Sequence, residues 1–482
     1  MYKKILVLVA LSLLTCGISV AQNYNDALRL SEADIISGAR SLSMGNAYTA
    51  LSDDFSAALF NPAGFALIKK SQFNGSLNYN LFDNKSEFFN NTDSYSNGAT
   101  RLNQFGVVFP FPTYRGSFVL ALGYNQFKDY NYTVRFDGYN SGNNSMIQDL
   151  TSYNDDIAYL LGLSYPVYDN GDNYLYDETR VNGGLNQSGK ILQEGKQHNW
   201  SLSAALEIQK DLFLGITLNI VGGDFRRDRQ YWEEDLQDNY PAGFLLDPAE
   251  PATSDFQTFY LNDIIKWDIS AWNLNLGLLS KVNKNLTMGF AVKTPRKYTI
   301  KESYFVDAYS DFGSGTSFYL DPPIENRLEY EITTPYEFSA GAAFNKNGLT
   351  LAADVKLIDY SQIEFKSGLN RIDIENNNRD IQEFFGTVYN LNFGLEYKIP
   401  ATNVALRGGF ILMPSPYKDD PSDYDKKYVT LGLGYDSRNI SIDLAYAMGW
   451  WKDIGDNYGS NVSRIYQDVS RNNFVLGLKY NF

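Results

Sequence analysis

The residue types that carry most enzymatic and metal chemistry are nearly missing from this sequence. His198 is the sole histidine, so imidazole catalysis or imidazole metal binding would rest on one side chain. Cys16 is the only cysteine and falls inside an apolar leader, which leaves the remainder without a disulfide or a thiolate metal site. No serine neighbourhood with an acid partner accompanies His198, so no catalytic residue, metal or cofactor is expected and an enzyme such as a barrel lipase is disfavoured. The glycines from Gly38 to Gly45 lack the strand–glycine–helix setting of a phosphate loop and read as packing positions. Acidic, loop-like clusters at 232–238 and 419–425 offer oxygen ligands for a divalent ion, but a solvated surface is the simpler reading. One motif is conformational rather than catalytic: Asn61-Pro62-Ala63-Gly64. There Pro62 fixes φ and lacks an N–H, Asn61 can bond its own turn, and Gly64 permits a sharp reversal.

The elements that must position these residues begin with an export signal. Lys3 and Lys4 precede an apolar run from Ile5 to Leu14, and Ser19-Val20-Ala21 supplies a small-residue exit, so residues 1–21 read as a secretory signal peptide cut after Ala21. The run is too short for a membrane helix, and Thr15 before Cys16 disfavours lipidation. Aromatics make up 15% of the 482 residues. Mean hydropathy is nevertheless -0.32, and no stretch after the signal reaches the length of an apolar helix span. A formal net charge of -15 argues against nucleic acid and against a polybasic mode of membrane binding.

A transmembrane strand shows about ten residues of alternating polarity, because one face meets lipid and the other a wet lumen. In 71–82, Phe73, Leu77, Tyr79 and Leu81 share one side while Gln72, Asn74, Ser76, Asn78 and Asn80 share the other. The pattern recurs at 102–111, 117–128, 198–209, 212–225, 261–280, 284–299, 325–344, 348–362, 387–399, 402–413, 427–436, 439–450 and 471–482. Tight turns alternate with longer polar segments, of which 129–197 is the longest and is expected to be extracellular. Glu207, Lys293, Glu337, Asp354, Lys356, Glu396, Arg407, Asp443 and Lys479 all fall on polar faces, as they must where a charge facing lipid costs about 2–4 kcal/mol. Strand 261–280 changes parity between Ile269 and Leu274, which predicts a β-bulge near Trp272. The last strand ends at Phe482, a terminus of the type read by the barrel-assembly machinery. The predicted fold is all-β: a monomeric transmembrane antiparallel barrel of about fourteen strands spanning 71–482. It would sit in the bacterial outer membrane, in contact with its lipid and lipopolysaccharide.

Residues 22–70 lack strand alternation and are expected to plug the lumen as a hatch. With GARSLSMGNAYTALSDD at 38–54 and FSAALFNPAGFA at 55–66, the segment resembles the hatch of the FadL/TodX family of outer-membrane transporters for fatty acids and aromatic hydrocarbons. Asn61-Pro62-Ala63 matches that family's Asn-Pro-Ala motif, where its residues either gate or simply end a helical turn. The resemblance implies passive uptake of a hydrophobic small molecule, with fatty acids the default cargo, and sideways release past a kinked third strand. Gly123 is the candidate for that irregularity, or else relieves crowding against the plug. Leu51, Phe55, Leu59 and Phe60 would line the apolar pocket or form plug core. A carboxylate cargo would pair with Lys356 or Arg407, unless these serve Asp354, Asp443 and Glu396. Some FadL-like barrels instead hold partner proteins for secretion or surface assembly. A lumen blocked without a lateral gap would favour that alternative.

Overall fold

The computed structural model describes residues 23–152, 157–459 and 462–482; the expected signal peptide and Cys16 lie outside the described residues. Fourteen antiparallel strands close into one barrel. They are β1 (Gln72–Phe88), β2 (Asn91–Phe111), β3 (Phe118–Asp129, prolonged by Tyr132–Asn140), β4 (Leu185–Gln209) and β5 (Leu212–Glu234). Next come β6 (Phe256–Lys281), β7 (Leu286–Lys293 and Lys297–Phe312), β8 (Ile324–Thr333 and Glu337–Lys346) and β9 (Leu349–Asp359, then Glu364–Ser367). The last five are β10 (Thr387–Lys398), β11 (Val404–Met413), β12 (Lys426–Asp436), β13 (Ile440–Asp456) and β14 (Arg464–Asn481). β14 pairs with β1 from Gln72↔Asn481 to Glu87↔Tyr466, closing the first strand onto the last. No described helix is long and apolar enough to cross a membrane, so the strands do the crossing.

The expected bulge at Trp272 is not there. β6 pairs with β5 without a register shift through Ile220↔Trp272 and Val221↔Ala271. The odd residues of β6 point inward along its length: Leu261, Asp263, Ile265, Trp267, Ile269, Asn273, Asn275 and Leu279 are all buried. What changes is the medium. Below Trp272 the outer face meets lipid and carries exposed Leu276 and Leu278, while the inner face holds Asn273 and Asn275 against the hatch. Above it the outer face meets water and the inner face becomes the apolar core of an extracellular extension, with Trp267 and Ile269 packed beside Phe225 and Phe259. The apolar parity inverts where hydrocarbon ends, with no break in the backbone.

That extension is roofed by residues of the long β3–β4 and β5–β6 connections, including Ile147, Leu161 and Leu246. Glu233, read as part of a loop-like acidic cluster, lies in β5. It anchors this roof instead, accepting from the Met146 N–H at 2.8 Å, Gln187 at 2.8 Å and the Tyr231 hydroxyl at 2.9 Å.

The hatch fills the lumen at membrane depth. Its first helix, Tyr24–Ser31, starts at a capping box in which Asn23 and Asp26 satisfy each other's backbone N–H groups. A short helix, Ala39–Ser43, and 3-10 turns at Phe55–Ala58 and Pro62–Leu67 follow. Such turns suit a chain that must fold back on itself inside a tube, because each closes its own hydrogen bonds locally.

Candidate functional site

The hatch meets the barrel wall closely at inward-facing glycines. Gly215, Gly277, Gly289, Gly394 and Gly409 receive its backbone, and Gly106, Gly123 and Gly432 receive its Phe55 and Ser43 side chains. A Cβ at Gly394 or Gly409 would overlap the Met44 carbonyl or the Gly45 N–H, and one at Gly215 or Gly277 would overlap the turn at 61–63. A barrel wall bare of side chains at this level lets main chain pack on main chain.

Within this ring the Asn-Pro-Ala motif is a strut. Asn61 is fully buried and donates to the carbonyls of Thr49 (2.8 Å) and Leu278 (3.0 Å), tying two parts of the hatch to β6, while its Oδ1 accepts from the Ala63 N–H at 3.1 Å. Pro62 opens the 3-10 turn. Gly64 makes no sharp reversal: it lies inside that turn, and a Cβ there would overlap Ser52, so glycine is required for close approach.

The candidate cargo residues separate into different environments. Phe55 is fully buried with its ring over Gly106 and Gly123 and beside Phe65, and Leu51 packs with Met44, Ala47, Ala50, Ala343 and Ala352. Neither borders the lumenal cavity on which the other candidates converge. Arg407 is paired on both sides, donating to Glu396 and to Asp443 at 2.6 Å each, and Arg40 of the hatch reaches the same Glu396 at 3.2 Å. Asp354 is likewise engaged, accepting the Tyr48 and Thr49 N–H groups at 2.8 and 2.7 Å.

Leu59, Phe60 and Lys356 do converge, on a lumenal cavity of about 70 Å³ enclosed between hatch segments and the barrel wall. Apolar walls come from Leu59, Phe60, Phe127, Ile411 and Met413; Lys293, Arg296, Lys356 and Glu337 form its charged side. Each of the three cations stands 3.4 Å from Glu337. Arg296 sits in the break between the two halves of β7, where the sequence reading missed it; its guanidinium lies 4.7 Å from the centre of the Phe127 ring. Pro295 was the available signal, because a proline inside a strand run interrupts the ladder. The hatch segment from Ser31 to Ile36 closes the cavity. Glu32 is held by Lys426, Asp34 pairs with Arg471 at 2.8 Å, and Lys128 of β3 donates to the Glu32 carbonyl at 2.7 Å. Burial alone would raise the Asp34 carboxyl, but Arg471 and Lys128 hold it below the usual carboxylate range.

The third strand is irregular, though not at Gly123. Pairing runs unbroken there, Gly106↔Gly123 to β2 and Gly123↔Ser201 to β4. The register shift falls between Gln126 and Lys128, a bulge that brings Phe127 to the cavity. The β2–β3 ladder reaches only Gln104↔Asn125. Beyond it, Tyr132–Asn140 pairs with β4 and leans over β1, with the Phe82 and Tyr132 rings 5.3 Å apart. The seam this leaves along β2 is bridged by side chains: Arg101 to Asp129 at 3.4 Å, Asn97 to Asn131 at 2.7 Å, and Thr133 to the Tyr95 carbonyl at 3.0 Å. His198 lies beside it, its ring stacked on Tyr124.

Two solved structures share this architecture over nearly their whole lengths. A FadL homologue of Pseudomonas aeruginosa superposes with a TM-score of 0.59 at 14% identity, over 94% of this chain and 100% of its own. The toluene transporter TodX of P. putida gives 0.57 at 15%, over 93% and 99%. At such identities the likeness is one of fold. No curated protein matches the chain by sequence. The sequence model of the outer membrane protein transport proteins matches residues 191–482, more than half of the chain, and with the barrel, hatch and seam in place the chain belongs to that family (OMPP1/FadL/TodX).

Proposed function

We propose that this outer-membrane barrel takes up hydrophobic small molecules with an acidic head, long-chain fatty acids above all, and releases them sideways between β2 and β3. One observation carries the reading: the route straight down is closed by main chain packed on glycines, whereas the wall beside the cavity lacks a continuous ladder. The toluene transport named for the solved relative fits a hydrophobic cargo. The acidic head is suggested by charge. Glu32 and Asp34 have their own partners, which leaves Lys293, Arg296 and Lys356 facing Glu337 alone beside apolar walls.

A cavity of about 70 Å³ is well below the roughly 300–1,000 Å³ of a typical ligand pocket, so loading must displace the 31–36 segment. The Lys128 and Asp129 ends of β3 bond that segment, through the Glu32 carbonyl and, at 3.0 Å, the Asp34 carboxylate. Cargo that lifts the segment therefore loosens the strand bordering the seam.

Two measurements test this. A Lys293→Met/Lys356→Met variant is expected to bind long-chain fatty acid about tenfold or more weakly while toluene binding is unchanged, since a charged hydrogen bond contributes about 1.5–3 kcal/mol. Equal losses for both ligands, or none, would sink the acidic-head assignment. Cysteines at Asn97 and Asn131 should stop uptake into proteoliposomes when oxidised and restore it on reduction. Equal uptake in the two states would reject the lateral route.

A further inference from the structure

Outside the lumen, the lipid-facing surface bears a groove of about 580 Å³ across β8 to β11. Its floor is Ala342, Ala353 and Gly408, and its walls are Phe344, Phe393 and Phe410. These residues face outward in register, Ala342↔Ala353, Ala353↔Phe393 and Phe393↔Phe410, so the depression follows from short side chains between long ones on neighbouring strands.

The groove lies at one end of the membrane belt. Phe344 is two residues from Lys346 at the end of β8, before the short β8–β9 turn, and short turns mark the periplasmic side, where the leaflet is phospholipid. Three turns stand side by side below it, joined by backbone bonds from Asn345 N–H to the Asn285 carbonyl (2.7 Å) and from Lys398 N–H to the Gly348 carbonyl (2.9 Å). At these turns and the strand end beside them stand exposed Lys284 and Lys346, with no carboxylate in the three turns, in a chain whose formal net charge is -15; Lys398, on the parity of lumenal Glu396, faces the other way. Among the described residues none of these lysines is in an ion pair, whereas lumenal Lys293 and Lys356 are.

We propose that this groove and its lysines form a binding site for an anionic phospholipid of the periplasmic leaflet. One acyl chain lies along Ala342, Ala353 and Gly408, where chain methylenes replace contacts that the small side chains leave unmade. The phosphate stands on Lys284 and Lys346, whose charges are complementary to it and unspent on protein partners. Neither half suffices: the lysines alone would attract any anion, and the groove alone would accept a chain under any headgroup.

The test is native mass spectrometry of the full chain folded in detergent, titrated with phosphatidylglycerol and phosphatidylethanolamine of identical acyl chains. Wild type is expected to retain phosphatidylglycerol preferentially. Lys284→Gln/Lys346→Gln, both exposed, should lower that retention by about fivefold per lysine and leave phosphatidylethanolamine unchanged, whereas lumen-facing Lys398→Gln should not lower it. Ala353→Trp, which fills the floor, should expel both lipids, whereas Leu218→Trp, on the lipid face of β5 and outside the groove, should expel neither. No headgroup preference in wild type, or a preference that survives the double substitution, overturns the proposal. Equal effects of the two tryptophans do so as well, because lipid would then be bound without the groove. Heat-modifiable gel migration confirms that each variant is a folded barrel before it is titrated.

Discussion

Replacing Gly394 and Gly409 together with valine is expected to turn a closed barrel into an ion-conducting one. Both glycines face inward on adjacent strands and pair directly with each other, Gly394↔Gly409 across β10 and β11. A Cβ on either would occupy the space of Met44 or Gly45 backbone, which unlike a side-chain tip has no rotamer into which to withdraw. The strands are locked by closed ladders on both sides, so the hatch is the part that must move. Conductance in planar bilayers should rise from silence to open-channel steps. Gly408→Val supplies the control: its nearest neighbour is the Thr430 carbonyl at 3.7 Å, and the bilayer should stay silent. A folded double variant that does not conduct would mean that the hatch is not the seal.

Arg407→Met should be the most destabilising single change in the lumen, at about 3–5 kcal/mol, because it strands buried carboxylates that lose their cation. Arg407 is almost fully enclosed and bonds Glu396 and Asp443 at once. Hatch residue Arg40 would then be left as sole partner of Glu396, at 3.2 Å, while it also serves Asp53. The midpoint of urea unfolding should drop well below that of wild type. Arg407→Met/Glu396→Gln/Asp443→Asn should recover most of the loss, since breaking a buried ion pair costs far more than removing it whole. A triple variant as unstable as the single one would assign the loss to packing instead. Fatty-acid affinity should hold in the triple variant, because Arg407 is absent from the cavity lining whereas Lys356 belongs to it.

That contrast between Lys356 and Arg407 shows where reading from sequence stops. Both cations fall on polar faces of clean strands, and alternation alone makes them equivalent. Each is distinguished by what surrounds it: Arg407 meets a carboxylate on the neighbouring strand and another on β13, while Lys356 opens onto a cavity shared with hatch residues. Alternation, the tight turns and the terminal aromatic strand are local consequences of a chain that must satisfy lipid on one side within about ten residues, so the fourteen strands and the hatch before them were written in the sequence. The parity inversion at Trp272 was equally local but could be read in two ways, as a bulge or as a change of medium, and only the position of the hydrocarbon edge decides between them. Gly123 was correctly placed on the lumenal face, yet a glycine opposite a hatch phenylalanine and a glycine at a strand break look the same in one dimension. The break instead falls at Phe127, because the strand must leave β2 where β1 and the hatch claim its edge. The sequence by itself determined the barrel, its polarity and its plug. Tertiary structure alone decided which charges are spent, where the wall opens and what the cavity can hold, since those depend on contacts between residues hundreds of positions apart.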